Sequence, residues 1–315
     1  MKTLLFLIVY KIEMKNIFFL FILTASLAGC ISSEAGKNKT ETYFSTDSSL
    51  TKDSVYKSIN TYSWKKTVDY KDALINRIEA PEGFKRIMLG ENSFAYWLRF
   101  IPLKEGKPDV KLYNGILKSN QSVHYDVIDI DVGTADLQQC ADAVMRLRAE
   151  YLYSQNKFSE IHFNYTSGDE ISFTKWGKGF RPVVTNNKVL WNKSQKADSS
   201  YKSFRSYMNN VFMYAGTLSL YKEMKNVSNL NDILPGDVFI VGGSPGHAVT
   251  VMDVASNEKG EKLFLLAQSY MPAQDIHILV NPNNSSLTPW YSVKEIGAEL
   301  ITPEWTFTNK QLMRF

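Results

Sequence analysis

Residues 236–270 read GDVFIVGGSPGHAVTVMDVASNEKGEKLFLLAQSY, and this stretch decides the fold class. Residues 237–241 are a short run of β-branched and aromatic side chains, the composition of a strand. Gly242-Gly243-Ser244-Pro245-Gly246 breaks the run, because glycine and proline together force a turn. Residues 247–254 give a second strand, residues 256–260 a polar turn, and residues 263–270 a third strand. Strands joined by such short turns pair antiparallel. The glycine-rich turn delivers His247 to the start of an otherwise apolar strand. In a hairpin, Gln268 comes back within a rung or two of His247, close enough for a cross-strand contact. A polar pair on an apolar hairpin marks a candidate site.

Outward from this centre, the strongest helical pattern covers residues 134–155. Leu137, Cys140, Ala141, Val144, Leu147 and Tyr151 recur at helical spacing and form one apolar face. Asp136 followed three residues later by Gln139 reads as a capping box. Arg146 and Glu150 sit i,i+4 on another face. Cys140 therefore falls in the first helical turn, pointing inward. Residues 201–225 give a second helix or helix pair, broken near Gly216. Residues 93–102 are apolar, and periodicity alone leaves them as strand or short helix. Residues 110–113, 123–132 and 275–280 read as strands, and residues 161–184 as strand, turn, strand. The expected fold class is α+β: a central antiparallel sheet packed on the Cys140 helix. A single domain spans 63–315, with a large insert at 161–226 that shapes a cleft.

The chain has 315 residues, 44% hydrophobic and 22% charged, with a formal net charge of +4. That is ordinary globular composition, and a nucleic-acid footprint would need a clustered basic face that is missing here. At the amino end, Lys11 and Lys15 precede a short apolar run, and Leu27-Ala28-Gly29-Cys30 follows. A charged region, a short apolar region and small residues before a cut fit a secretory signal at 1–29. The run is short for a membrane span. The residues L-A-G-C resemble a bacterial lipobox, which implies lipidation at Cys30 and attachment to a membrane surface rather than passage through it. Residues 30–62 are rich in Ser, Thr, Lys and Asn and read as a flexible tether. The expected location is the cell envelope, on the outer membrane, facing periplasm or cell surface. Of the two cysteines, only Cys140 then remains, with no disulfide partner in an exported chain.

Cys140 at a helix start, His247 after a glycine turn and Gln268 on the next strand form a constellation with chemical sense. A helix N-terminus and a neighbouring imidazole both favour a thiolate. The imidazole returns the proton to a leaving amine. A third group fixes the ring's tautomer and angle. A backbone N–H in the first helical turn, that of Cys140, would hold the oxyanion, with Gln138 or Gln139 as a side-chain donor. The expected catalytic set is Cys140 as nucleophile, His247 as base and acid, and Gln268 as orienter. No cofactor is implied. Taken singly, a cysteine on an apolar helix face is more often a small core residue, and a histidine opening a strand is more often structural. His124, Asp126, Asp129 and Asp131 could suggest a metal site, but strand alternation splits them between faces. His162 and His277 lie on strand faces without evident partners. Trp176, Trp290 and Tyr291 could line a groove, although aromatics near glycine and proline more often anchor loops.

Gln139-Cys140 opening a helix, Gly236-Asp237-Val238-Phe239 leading to Gly246-His247-Ala248-Val249, and Gln268 resemble the papain-like cysteine hydrolases of bacterial envelopes, the CHAP amidases and NlpC-type peptidases. The resemblance implies a papain-like sheet and a peptide or cell-wall substrate. The third position is more often His, Asn or acidic in those families, and the interval from Cys140 to His247 is long for them. A longer resemblance runs through QQCADAVMRLRAEYL, FRSYMNNVFMYAGTLSL, GDVFIVGGSPGHAV, LLAQSYMPAQDIHIL and TPEW. These stretches are similar to the bacterial lipoprotein family known as domain of unknown function 4846, which implies no activity. Two functions follow as expectations: a cysteine amidohydrolase acting on amide bonds, or an envelope lipoprotein that binds a ligand or partner without catalysis.

Overall fold

The computed structural model describes residues 62–315. The signal segment, Cys30 and residues 30–61 of the tether lie outside them. All described residues belong to one compact unit. Tyr62, assigned to the tether, is buried and donates to the Trp97 carbonyl, so ordered packing already includes it. Among the described residues no helix is long and apolar enough to cross a membrane.

The architecture is α+β around a nine-stranded sheet in which every pairing is antiparallel. Its strands are β1 (Lys85–Arg86), β2 (His124–Val127), β3 (Lys225–Asn226), β4 (Val238–Val241), β5 (His247–Ser256), β6 (Lys262–Gln268), β7 (His277–Leu279), β8 (Tyr291–Ser292) and β9 (Leu312–Arg314). The main path runs β2-β7-β6-β5-β4-β9-β3, while β1 pairs with β5 and β8 with β6. The three strands expected from residues 236–270 are the centre of this sheet. They are in direct succession because each connection is a short turn.

Two apolar cores lie on opposite faces. Ala248 and Met252 belong to one, with Leu263, Leu265 and the helix residues Ala141, Val144 and Leu147. Val249, Val251 and Val254 belong to the other, with Phe264, Leu266 and Phe307. Strict alternation would send Val254 to the first core. A bulge prevents this: Leu265 faces Asp253 while Leu266 faces Val251, so Met252 is an extra residue. Asp253 is fully buried and binds Arg86 Nε at 2.6 Å and Arg99 Nε at 2.9 Å. The bulge thus turns a carboxylate toward two guanidiniums that share its burial.

Four helices matter to the site: α1 (Phe94–Arg99), α2 (Cys140–Ser154), α3 (Tyr201–Tyr214) and α4 (Thr217–Glu223). The undecided segment at 93–102 is helical because Ser93 Oγ caps the Tyr96 N–H. The expected helix at 134–155 starts later, at Cys140. Its first turn is closed by Asp142 Oδ2 accepting from Gln139 N–H, while Asp136 Oδ1 is taken by the Ala273 N–H and the Gln139 side chain. The capping box therefore sits three residues downstream of the expected one. The break near Gly216 separates α3 from α4, as the sequence suggests. Residues 161–184 contain the hairpin His162–Asn164/Glu170–Ser172, then a short helix Phe173–Gly177, before the strand Phe180–Thr185.

Candidate functional site

Cys140 is the first residue of α2, and β5 is among the strands on which α2 packs. Its side chain is 7% exposed, belongs to neither apolar core, and lies on the floor of a cleft of about 470 Å3. Burial pushes its thiol up to about 11. The Ala141 N–H works against that shift, the Asp142 charge adds to it, and the N–H groups of Ala248 and Cys140 oppose it. The sulfur is thus set against the amide of the residue that follows His247. The sheet leaves room there because the β6 pairing with β5 stops at Ala267 opposite Thr250. Ser269, just beyond β6, donates to the Gln138 carbonyl and pins the start of α2 to that vacated edge.

His247 opens β5, and the turn before it is docked on α4. Thr217 Oγ1 donates to the Gly243 carbonyl at 3.1 Å. A Cβ at Gly246 would collide with Thr217 Oγ1 and with the carbonyls of Gly243 and Val241, so only glycine fits that approach. His247 and Gln268 share one sheet face in diagonal register, and His247 Nε2 meets Gln268 Oε1 at 2.8 Å. Both are almost completely buried. Three rings enclose the imidazole: Tyr270 at 4.9 Å, Trp305 at 5.2 Å and Phe307 at 5.9 Å between centroids. Burial lowers His247 to about 4, against the opposing hydrogen bond to the Gln268 oxygen and with help from the Lys118 charge. At neutral pH the resting site therefore holds a neutral imidazole and a neutral thiol.

The cleft walls come from three places. The turn residues Gly243–Gly246 form one side, and Met271 and Trp305 another. Thr166, Phe212 and residues 215–218 form the third, so the segment 161–226 supplies one wall of the cleft. Asp136 and Asp142 line it, and no Lys or Arg does.

Gln138 is fully buried, outside the cleft lining, with its carbonyl oxygen Oε1 accepting from Arg146. Its Nε2 has no partner among the described residues, but its burial outside the lining keeps that donor from the cleft. Gln139 does line the cleft, with Nε2 on Asp136 Oδ1 at 3.1 Å. Asp237 of the Gly-Asp turn is occupied by Arg314 and the Leu234 N–H, a structural clamp on β9. Trp176, Trp290 and Tyr291 are buried, each bonded to a nearby acceptor; none lines the Cys140 cleft, and Tyr291 borders a separate pocket of about 270 Å3. His162 faces Glu170 across an exposed hairpin. Asp126 pairs with Arg77, Asp129 with Lys65, and Asp131 with Arg146 and Arg205.

Residue-by-residue reading missed the far side of Gln268. Its Nε2 donates to Glu304 Oε2 at 2.7 Å and lies 3.4 Å from His277 Nε2. Lys118 Nζ holds the other Glu304 oxygen at 2.7 Å. The TPEW motif carried Glu304 and Trp305 in plain view, but nothing local tied it to His247.

A family model described as Domain of unknown function (4846) matches residues 74–314. No curated protein and no solved structure matches the chain. With most of its length covered, the chain belongs to the DUF4846 family.

Proposed function

We propose that this member of the DUF4846 family is a lipid-anchored envelope protein of papain-like design that hydrolyses amide bonds, with cell-wall peptides as the substrate class. The observation that carries the reading is the 2.8 Å contact of His247 Nε2 with Gln268 Oε1, on the strand that receives the amino end of the Cys140 helix. Nε2 is engaged, and Nδ1 is the ring nitrogen left to take the thiol proton. The thiolate then bonds to the substrate carbonyl carbon, and the carbonyl electron pair moves to oxygen. The Cys140 N–H, which has no intrahelical acceptor at the first helical position, and Gln139 Nε2 are the donors placed to meet that oxyanion. Collapse breaks the C–N bond, the imidazolium proton leaves with the amine, and a thioester remains. Water, deprotonated by His247, releases the acid and restores the thiol. Lipidation at Cys30 would hold this chemistry at a membrane surface.

A second reading has its own support. A thiol buried to 7% exposure and shifted upward is also what a structural cysteine in a ligand-binding lipoprotein looks like. Iodoacetamide labelling of the folded protein at neutral pH separates the two. Under the hydrolase reading Cys140 is labelled, and His247→Ala slows labelling by about tenfold or more. A Cys140 that reacts only after unfolding supports the binding protein instead. Amine release from muropeptides, absent in Cys140→Ser, is the matching activity test.

A further inference from the structure

We infer that Glu304 and His277 are positioning residues: together they fix which way round the Gln268 amide sits and thereby select the His247 ring protonated at Nε2. Only the kinetic arm of the test below rests on the amidohydrolase reading.

An amide group presents either its oxygen or its NH2 to a neighbour, and the two are equal in shape. The sense is decided by what the opposite end can bond. His277 Nδ1 faces the Asp275 carbonyl at 2.9 Å, and a carbonyl only accepts. His277 must therefore carry its proton on Nδ1, which leaves Nε2 as an acceptor. That acceptor points at Gln268. The second neighbour, Glu304, is a carboxylate paired with Lys118 Nζ at 2.7 Å, and it too can only accept. Two acceptors on one side demand the NH2 group there. The Gln268 oxygen is then turned to His247, and only a ring protonated at Nε2 can donate to it. The free lone pair falls on Nδ1, the nitrogen required as base. His277 stays neutral because burial holds it far below the ordinary histidine range, at about 3, so its acceptor lone pair persists at neutral pH.

Gln268 is 1% exposed and His277 0%, so the Gln268 amide is shut off from water and depends on these acceptors. The relay crosses four parts of the chain: Lys118 before β2, Gln268 ending β6, His277 opening β7, and Glu304 in the loop before residues 306–308.

Long-range nitrogen–proton correlation spectra of the isotope-labelled soluble chain read the His247 tautomer directly. In the unsubstituted protein at neutral pH, a ring protonated at Nε2 is expected, and a ring protonated at Nδ1 overturns the proposal. Lys118→Met combined with Glu304→Gln frees the single amide oxygen to accept from Gln268, so the tautomer should hold and Cys140 labelling should stay within about threefold. Lys118→Met combined with Glu304→Leu removes the acceptor and its buried ammonium together. The Nδ1-protonated form should then appear, with labelling slowed by about tenfold or more. His277→Phe, which keeps ring volume without the acceptor, should shift the spectrum in the same direction. Folded variants that retain a pure Nε2-protonated ring refute the relay. A wild-type ring protonated at Nε2 beside an unreactive Cys140 would sink the hydrolase reading and leave this one standing.

Discussion

Asp142 shows how much a single residue can set the working pH of this site. It is 6% exposed, two positions after Cys140, and burial raises its carboxyl to about 8, against the N–H groups of Gln139 and of its own backbone. Its folded value lies above the unfolded one, so its contribution to stability is complete below about pH 4 and lost as pH rises through 8. Asp142→Asn keeps an oxygen for the Gln139 N–H and removes the charge. Denaturant titrations should show the variant more stable than the parent at pH 9, by a few kcal/mol on the order-of-magnitude scale, and level with it near pH 4. The same variant should speed Cys140 labelling above pH 8, because the Asp142 charge is among the causes that raise the thiol. Equal stability at both pH values would mean that the carboxyl is already ionised on folding.

Among elements, β5 is the one on which the site depends, and its bulge is the feature most open to test. Met252 is the extra residue, and Asp253 is turned toward Arg86 and Arg99 as a result. Removing the carboxylate leaves two guanidiniums without their partner, one on β1 and one on α1. Asp253→Ala should cost about 3–5 kcal/mol in chemical denaturation, the loss associated with breaking a buried charge pair. Arg86→Met and Asp253→Ala together should cost less than the sum of the two single changes, since they share one network. A cost near zero for Asp253→Ala would show that β5 keeps its place by apolar packing alone. The α2 element is read differently. Its apolar face was plain in the sequence, yet its first residue was not, because Asp136 is drawn away by the Ala273 amide. Capping depends on which carboxylate the tertiary contacts leave free.

For the whole molecule, the proposal places a compact α+β unit on a membrane by a lipid at Cys30, with the cleft free to meet substrate. Expression in a bacterial host with a fatty-acid probe tests this. The probe should label the mature protein and send it to the detergent phase, and Cys30→Ser should abolish both. Aqueous partitioning of the unsubstituted chain would end the anchored picture without touching the cleft chemistry. The absence of Lys and Arg from the cleft lining adds a bias at the same scale. With Asp136 on its wall, joined by the Asp142 charge only above about pH 8, the cleft favours neutral or amine-bearing groups over carboxylates.

Strand patterning and turn chemistry in residues 236–270 determined the antiparallel centre of the sheet, and a period of two with short turns also fixed the diagonal meeting of His247 with Gln268. Helical spacing determined α2 and put Cys140 near its start. These are local rules, readable because the interacting residues are close in sequence or tied by one hairpin. His277 meets Gln268 as its direct register partner on the next strand, whereas tertiary structure alone decided that Glu304 closes on Gln268, that Trp305 covers His247, and that Gln138 turns away from the cleft toward Arg146. Each of those last three contacts joins segments with no periodic relation, and burial of polar groups forces them to find partners wherever the fold brings one within reach.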